Sequence, residues 1–139
     1  MNVLASLASR STAVRARRIL VVDDNLDAAE MMAEILRISG HEVRAAGDGP
    51  SALEAARDFR PELAILDIGL PAMDGYELGR RLHAELGASS LVLVALSGYG
   101  QASDRARSEA AGFEMHLVKP VDTARLLAAI EECFGKLRG

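Results

Sequence analysis

From Arg18 onward the chain alternates two textures. Short runs of apolar, often β-branched residues are followed by longer segments in which apolar positions recur every three or four residues. The short runs are Ile19 to Val22, Glu42 to Ala45, Leu63 to Leu66, Leu91 to Leu96 and Met115 to Val118. Three of them are nearly all apolar, as parallel strands buried on both faces are. The helical segments are Leu26 to Ser39, Pro50 to Asp58, Tyr76 to Leu86, Gln101 to Ala111 and Asp122 to Leu137, set off by Gly, Pro, Asp and Asn. Asp48 and Asp122 stand where helix N-caps are expected, and Gly40 and Gly112 where left-handed C-terminal residues are. In the first helix Met31, Ile35 and Ile38 form an i, i+4, i+7 stripe, with Met32 and Leu36 beside it, that predicts the core-facing side. Strict βα alternation with right-handed crossovers predicts an α/β protein: a doubly wound (βα)5 unit with a five-stranded parallel sheet and helices on both faces.

Composition narrows the function classes. The 139 residues suit one domain, and half of them are hydrophobic against 26% charged, the balance of a globular core. Aromatic residues are 4% with no Trp, so platforms for stacking single-stranded bases are scarce. The formal charge of −4 offers no general attraction to nucleic acid or anionic membrane, so neither is expected as a partner. The longest apolar run, Leu91 to Leu96, is far short of the ~20 residues that span a bilayer. A single cysteine, Cys133, has no partner of its kind for a disulfide or zinc site and fits a reducing, cytoplasmic setting. Residues 1–17 carry three Arg and no acid, without the later alternation, and are expected to be a flexible tail before a folded domain at 18–139.

In an open α/β sheet, ligands gather beyond the carboxyl ends of the strands. The first strand runs into Asp23-Asp24-Asn25, the third into Asp67, the fourth into Ser97-Gly98 and the fifth into Lys119-Pro120. Three carboxylates, a hydroxyl and an ammonium are thus predicted on one edge. Carboxylates this close repel unless a proton or cation intervenes, and Mg2+ takes oxygen ligands while leaving room for a phosphate. Asp67, after a buried strand and before the tight loop Ile68 to Gly75, is the candidate nucleophile toward phosphorus, giving an acyl phosphate. Lys119 supplies a point charge and Ser97 a rotatable donor for the phosphoryl oxygens. A cis peptide at Lys119-Pro120 would aim the lysine inward.

The motifs VVDDN at Val21 to Asn25, LDIGLPAMDG at Leu66 to Gly75, ALSGYG at Ala95 to Gly100 and LVKPVD at Leu117 to Asp122 closely resemble a receiver domain of bacterial two-component response regulators, over about Arg18 to Leu137. The resemblance implies a flavodoxin-like sheet of strand order 2-1-3-4-5. It implies that Asp67 accepts a phosphoryl group from phosphohistidine on a sensor histidine kinase or a histidine phosphotransfer protein. Asp24, Asp67 and the Gly69 carbonyl would ligate Mg2+, Asp23 would act mostly through water, and Ser97 and Lys119 would contact the phosphoryl group. Two positions depart from the family's habit. Leu70 stands where Met is common, and His116 stands where an aromatic residue commonly changes rotamer together with the Ser or Thr; Ser97 and His116 are therefore the expected switch pair.

The function so implied is a phosphoacceptor switch whose product is a conformation, with at most self-catalysed phosphorylation and dephosphorylation and no turnover of an external substrate. Its output would be contact with a downstream protein, stand-alone or beside a hybrid kinase, and a homodimer is compatible with it. Three other functions compete. A flavodoxin-like redox protein would hold a flavin phosphate where Asp23 and Asp24 repel one. A phosphatase with an Asp nucleophile usually has a second Asp two residues on, where this chain has Gly69. A phosphorylation-independent pseudo-receiver would leave some of the acidic, hydroxyl and lysine positions unfilled, and here all are filled.

Overall fold

The computed structural model describes residues 16–98 and 105–138. Five strands, β1 (Arg18–Val22), β2 (Glu42–Ala46), β3 (Leu63–Asp67), β4 (Val92–Ser97) and β5 (Phe113–Val118), alternate with α1 (Leu26–Ile38), α2 (Gly49–Phe59), α3 (Gly75–Leu86), α4 (Arg105–Ala110) and α5 (Thr123–Arg138). All pairings are parallel and the strand order is β2-β1-β3-β4-β5. The expected topology is therefore present. The tail up to residue 15, the loop residues Tyr99 and Gly100, and residues 101–104 expected to open the fourth helix lie outside the described residues.

Period-two alternation in the central strands builds two cores, one on each side of the sheet. Leu20 and Val22 of β1, Ala64 and Leu66 of β3, and Leu93 and Ala95 of β4 pack beneath α2 and α3. Their neighbours Ile19, Val21, Leu63, Ile65, Val94 and Leu96 pack beneath α1 and α5. A strand with both faces covered must be apolar throughout, so the first polar residue after each apolar run, such as Asp67 or Ser97, marks the carboxyl rim of the sheet, where it is still buried.

Helix starts follow cap chemistry. Asp48 accepts from the Ser51 N–H at 2.7 Å and Asp122 from the Arg125 N–H at 2.7 Å, as their positions predicted. Asn25 and Asp74 act likewise on α1 and α3, accepting from Ala28 and Glu77. Gly40 and Gly112 take φ of 103° and 86°, the left-handed region expected of them.

Two expectations need correction. The core stripe of α1 is Ala29, Ala33 and Leu36, while Met31 and Ile38 are 68% and 79% exposed. Both triplets have i, i+4, i+7 spacing, but they are offset by two residues, about 200° around the helix. The alanines let the helix lie close to the sheet; of the bulky residues expected to face the core, Leu36 is fully buried and Met32 and Ile35 pack against its edge, while Met31 and Ile38 face solvent. The fifth strand begins at Phe113 rather than Met115, because a register irregularity opposite Leu93 and Val94 lets Phe113 join the ladder despite the break in alternation.

The chain enters the sheet through Arg17. Its N–H donates to His41 Nδ1 at 3.0 Å, its guanidinium meets Glu62 at 3.2 Å, and it stacks 3.9 Å from the centre of the Phe134 ring. Burial, then the nearby Arg17 charge, hold the His41 pKa below its ordinary 6.5, with Glu62 opposing. The unfolded chain therefore takes up this proton first as pH falls. The stabilising contribution is complete above 6.5 and is lost as pH drops through the lower folded value. Urea midpoints measured across this range should fall in the parent protein, and the fall should be shallower in His41→Gln. Equal slopes would show that His41 carries none of the dependence.

Candidate functional site at the carboxyl edge of the sheet

Asp23 follows β1, Asp67 ends β3, Ser97 ends β4 and Lys119 follows β5, so parallel register brings four separate segments to one rim. Asp23 and Asp67 are 2% and 5% exposed, unusual for carboxylates and affordable only with partners. Each has them. Asp23 Oδ1 accepts from the Asn25 N–H at 3.0 Å and Asp67 Oδ1 from the Gly69 N–H at 2.8 Å. The Lys119 ammonium lies 2.8 Å from Asp23 Oδ2 and 3.0 Å from Asp67 Oδ2. Burial acts to lower the Lys119 pKa, but hydrogen bonds and attraction from the two carboxylates outweigh it and raise the value above 10.5. The Lys119-Pro120 peptide is cis, the isomer that was expected to turn the lysine inward.

Asp24 is exposed, and one oxygen from each of Asp23, Asp24 and Asp67 falls within 4.8 Å of the others. Three carboxylates against one ammonium leave two negative charges in excess. A hard dication with an oxygen shell matches both the donor set and that excess, so these residues fit Mg2+.

Ser97 is fully buried and its Oγ lies 2.9 Å from His116 Nε2, uniting the two residues expected to act as a pair. The backbone locks this corner: the Lys119 N–H donates to the Ser97 carbonyl at 2.7 Å, and the Ile68 N–H to the Leu96 carbonyl at 2.9 Å. Gly69 contributes its N–H to Asp67, and its backbone stays exposed at the rim.

One residue at the site was not singled out beforehand. A Cβ on Gly75 would sit 2.5 Å from the Asp67 carbonyl oxygen and 2.7 Å from the Ile68 Cα, so α3 begins hard against the backbone of the acidic loop. The only sequence signal was the glycine that closes the loop. Gly75→Ala must push that backbone away, and we expect it to cost about 1–3 kcal/mol in urea unfolding. An unchanged midpoint would mean that the loop yields freely.

Beside Asp23 and Lys119 a groove of about 490 Å³ opens between α1 and α5, lined by Met31, Met32, Ile35, Val121 and Leu126. It is the flank of α1 left uncovered by the shift of its core stripe. Among the described residues, no helix is long and apolar enough to cross a membrane.

With this edge assembled on a 2-1-3-4-5 sheet, comparison with known proteins identifies the class: the chain belongs to the response regulator receiver domain family, which it matches over residues 19–131. It is 37% identical over 120 residues to the transcriptional regulatory protein PrrA of Mycobacterium tuberculosis, covering 86% of this chain and 51% of that one. It is 36% identical over 114 residues to the DNA-binding response regulator MtrA of the same organism, covering 82% and 49%. The chain thus spans about half the length of these curated relatives. Among solved structures, the chemotaxis protein CheY4 of Vibrio cholerae superposes with a TM-score of 0.79 at 26% identity, covering 86% of this chain and 99% of that one. NtrX of Brucella abortus, solved with ATP, gives 0.80 at 34% identity over 88% of this chain and 28% of that one. Receiver domains are signalling elements of two-component systems, and this chain is one of them.

Proposed function

We propose that this receiver domain is a phosphoacceptor switch in which Asp67 takes a phosphoryl group from a phosphohistidine. The observation that carries the reading is the Asp67 carboxylate itself: buried at the end of β3, held at Oδ1 by the Gly69 N–H and at Oδ2 by Lys119, and flanked by two further acids. An Asp67 oxygen forms the bond to phosphorus as the phosphohistidine N–P bond breaks, its electron pair staying on the imidazole nitrogen. The result is a mixed anhydride on Asp67 and no released product beyond the dephosphorylated donor.

Asp23, Asp24 and Asp67, with the Gly69 carbonyl implied by family resemblance, would hold Mg2+, which neutralises charge on the incoming phosphoryl oxygens. Lys119 then moves from pairing carboxylates to pairing a phosphoryl oxygen, a short displacement for a long, flexible side chain. Ser97 gives the hydroxyl donor.

The donor is a sensor histidine kinase or a histidine phosphotransfer protein working in the cytoplasm, and the readout is contact with a downstream protein. The apolar groove beside Lys119 supports docking of the donor there: it is continuous with the phosphoacceptor edge, and exposed Met31 offers an adaptable apolar contact.

Incubation with acetyl phosphate, followed by intact-mass measurement, tests the chemistry without a partner. One phosphoryl adduct is expected with Mg2+ and none after chelation. Absence of an adduct with Mg2+, together with failure to bind beryllofluoride, would leave a phosphorylation-independent interaction module instead.

A further inference from the structure

The contact between Ser97 and His116 carries a constraint of its own. β4 and β5 run parallel with Ala95 beside His116 and Ser97 beside Val118, so residues 97 and 116 are diagonal neighbours on the same face of the sheet. Their side chains meet at 2.9 Å between Oγ and Nε2, and Ser97 is fully buried. A serine hydroxyl has one proton to give. If it points at the His116 Nε2 lone pair, it is unavailable to anything bound at Asp67.

Phosphoryl oxygens are acceptors. For Ser97 to engage a phosphoryl group on Asp67, its proton must turn away from the ring and toward that group. The ring nitrogen 2.9 Å behind it must then carry a hydrogen, since two lone pairs cannot face each other at that distance in a dry site. Either the neutral Nε2–H tautomer or the imidazolium meets this requirement. A hydrocarbon ring at the same position would place no condition on the serine.

We propose that His116 is a positioning residue for Ser97, and that a phosphoryl group on Asp67 selects the ring form whose Nε2 bears the proton. In that form Nε2–H donates to Ser97 Oγ, and the Ser97 hydroxyl donates to the phosphoryl group. The ring is half-buried and also lines a depression of about 220 Å³ with Ser108 and Glu109 of α4 and Glu114 of β5. The hydrogen-bond direction at the phosphoacceptor is thereby tied to the protonation of a side chain on the α4 and β5 surface. This rests on Asp67 being the phosphoacceptor.

Ring nitrogen spectra of the full chain labelled with ¹⁵N-histidine test the proposal, with His116 assigned by its loss in His116→Gln. With Mg2+ and beryllofluoride bound, the His116 Nε2 resonance should be that of a protonated, donating nitrogen. Ser97→Ala should abolish the difference between free and bound spectra. An unprotonated Nε2 in the bound wild-type protein overturns the inference while leaving Asp67 as phosphoacceptor. Failure of wild-type protein to bind beryllofluoride removes that reading and the inference with it.

Discussion

Asp67→Asn should take up no phosphoryl group from acetyl phosphate, and in metal-free buffer it should unfold at a higher urea concentration than the parent. The first result follows from chemistry: an amide oxygen is too weak a nucleophile to open the N–P or O–P bond of the donor. The second follows from charge. Asp67 and Asp23 place carboxylate oxygens within 4.8 Å of each other, a repulsion of roughly 3 kcal/mol or more at an effective dielectric constant near 20. Lys119 at 3.0 Å from Asp67 returns roughly 5 kcal/mol on the same scale. Exposed Asp24 adds further repulsion, and burying the Asp67 charge costs several kcal/mol after relaxation, about as much as any single ion in a protein interior. The asparagine keeps an oxygen for the Gly69 N–H, but its NH2 stands where Oδ2 accepted from Lys119, so the ammonium must turn wholly to Asp23, 2.8 Å away. We expect a net gain of about 1–2 kcal/mol. With saturating Mg2+ the order should narrow or invert, because the parent then binds the dication more tightly and is stabilised through that binding. A loss of stability in metal-free buffer would show that the carboxylate is better satisfied than its neighbours imply.

Lys119→Met has the opposite sign. Methionine fills a similar volume but leaves Asp23 and Asp67 facing each other with no cation, both almost fully buried. Removing one partner of a buried ionic cluster costs about 3–5 kcal/mol. Urea unfolding without metal should show a loss of that size, and Mg2+ should recover much of it. Recovery is the informative part, since a dication can replace the missing charge whereas it cannot repair a packing defect. The parent has its own signature. Because the Lys119 pKa is raised in the folded state, its contribution is complete below 10.5 and is lost as pH rises through the folded value. That alkaline loss should be absent from Lys119→Met. A deficit untouched by Mg2+ would place the lysine's role in packing alone.

Together the two variants separate the acidic cluster's chemistry from its folding cost. The three clustered carboxylates that fit a metal ion repel one another in its absence, and the two variants measure what that repulsion costs the fold. Among the described residues, Lys119 is the cation that pairs Asp23 and Asp67, beside the Asn25 and Gly69 N–H groups.

Much of this was legible in the order of residues along the chain. Strands buried on both faces must be apolar, so the runs at Ile19, Leu63 and Leu91 announced a covered parallel sheet, and the polar residue ending each run marked the ligand edge. Asp48 and Asp122 named their helices by a hydrogen bond that spans only three residues. Such local physics survives in sequence because both partners are near in the chain.

What the tertiary structure decided involves distances between elements. Periodicity could not choose between Ala29-Ala33-Leu36 and Met31-Ile35-Ile38, because both have the same spacing and only close approach to the sheet rewards the alanines. Gly75 was one more loop glycine until the Asp67 carbonyl was found where its Cβ would stand. His116 was marked as a departure, but only the diagonal register of β4 and β5 put its Nε2 on the Ser97 hydroxyl. The residue types and their strand-end positions determined that an acidic, lysine-bearing edge would exist. Packing determined which atoms meet there, because hydrogen bonds and charge pairs between segments far apart in the chain depend on ångström distances that no one-dimensional pattern encodes.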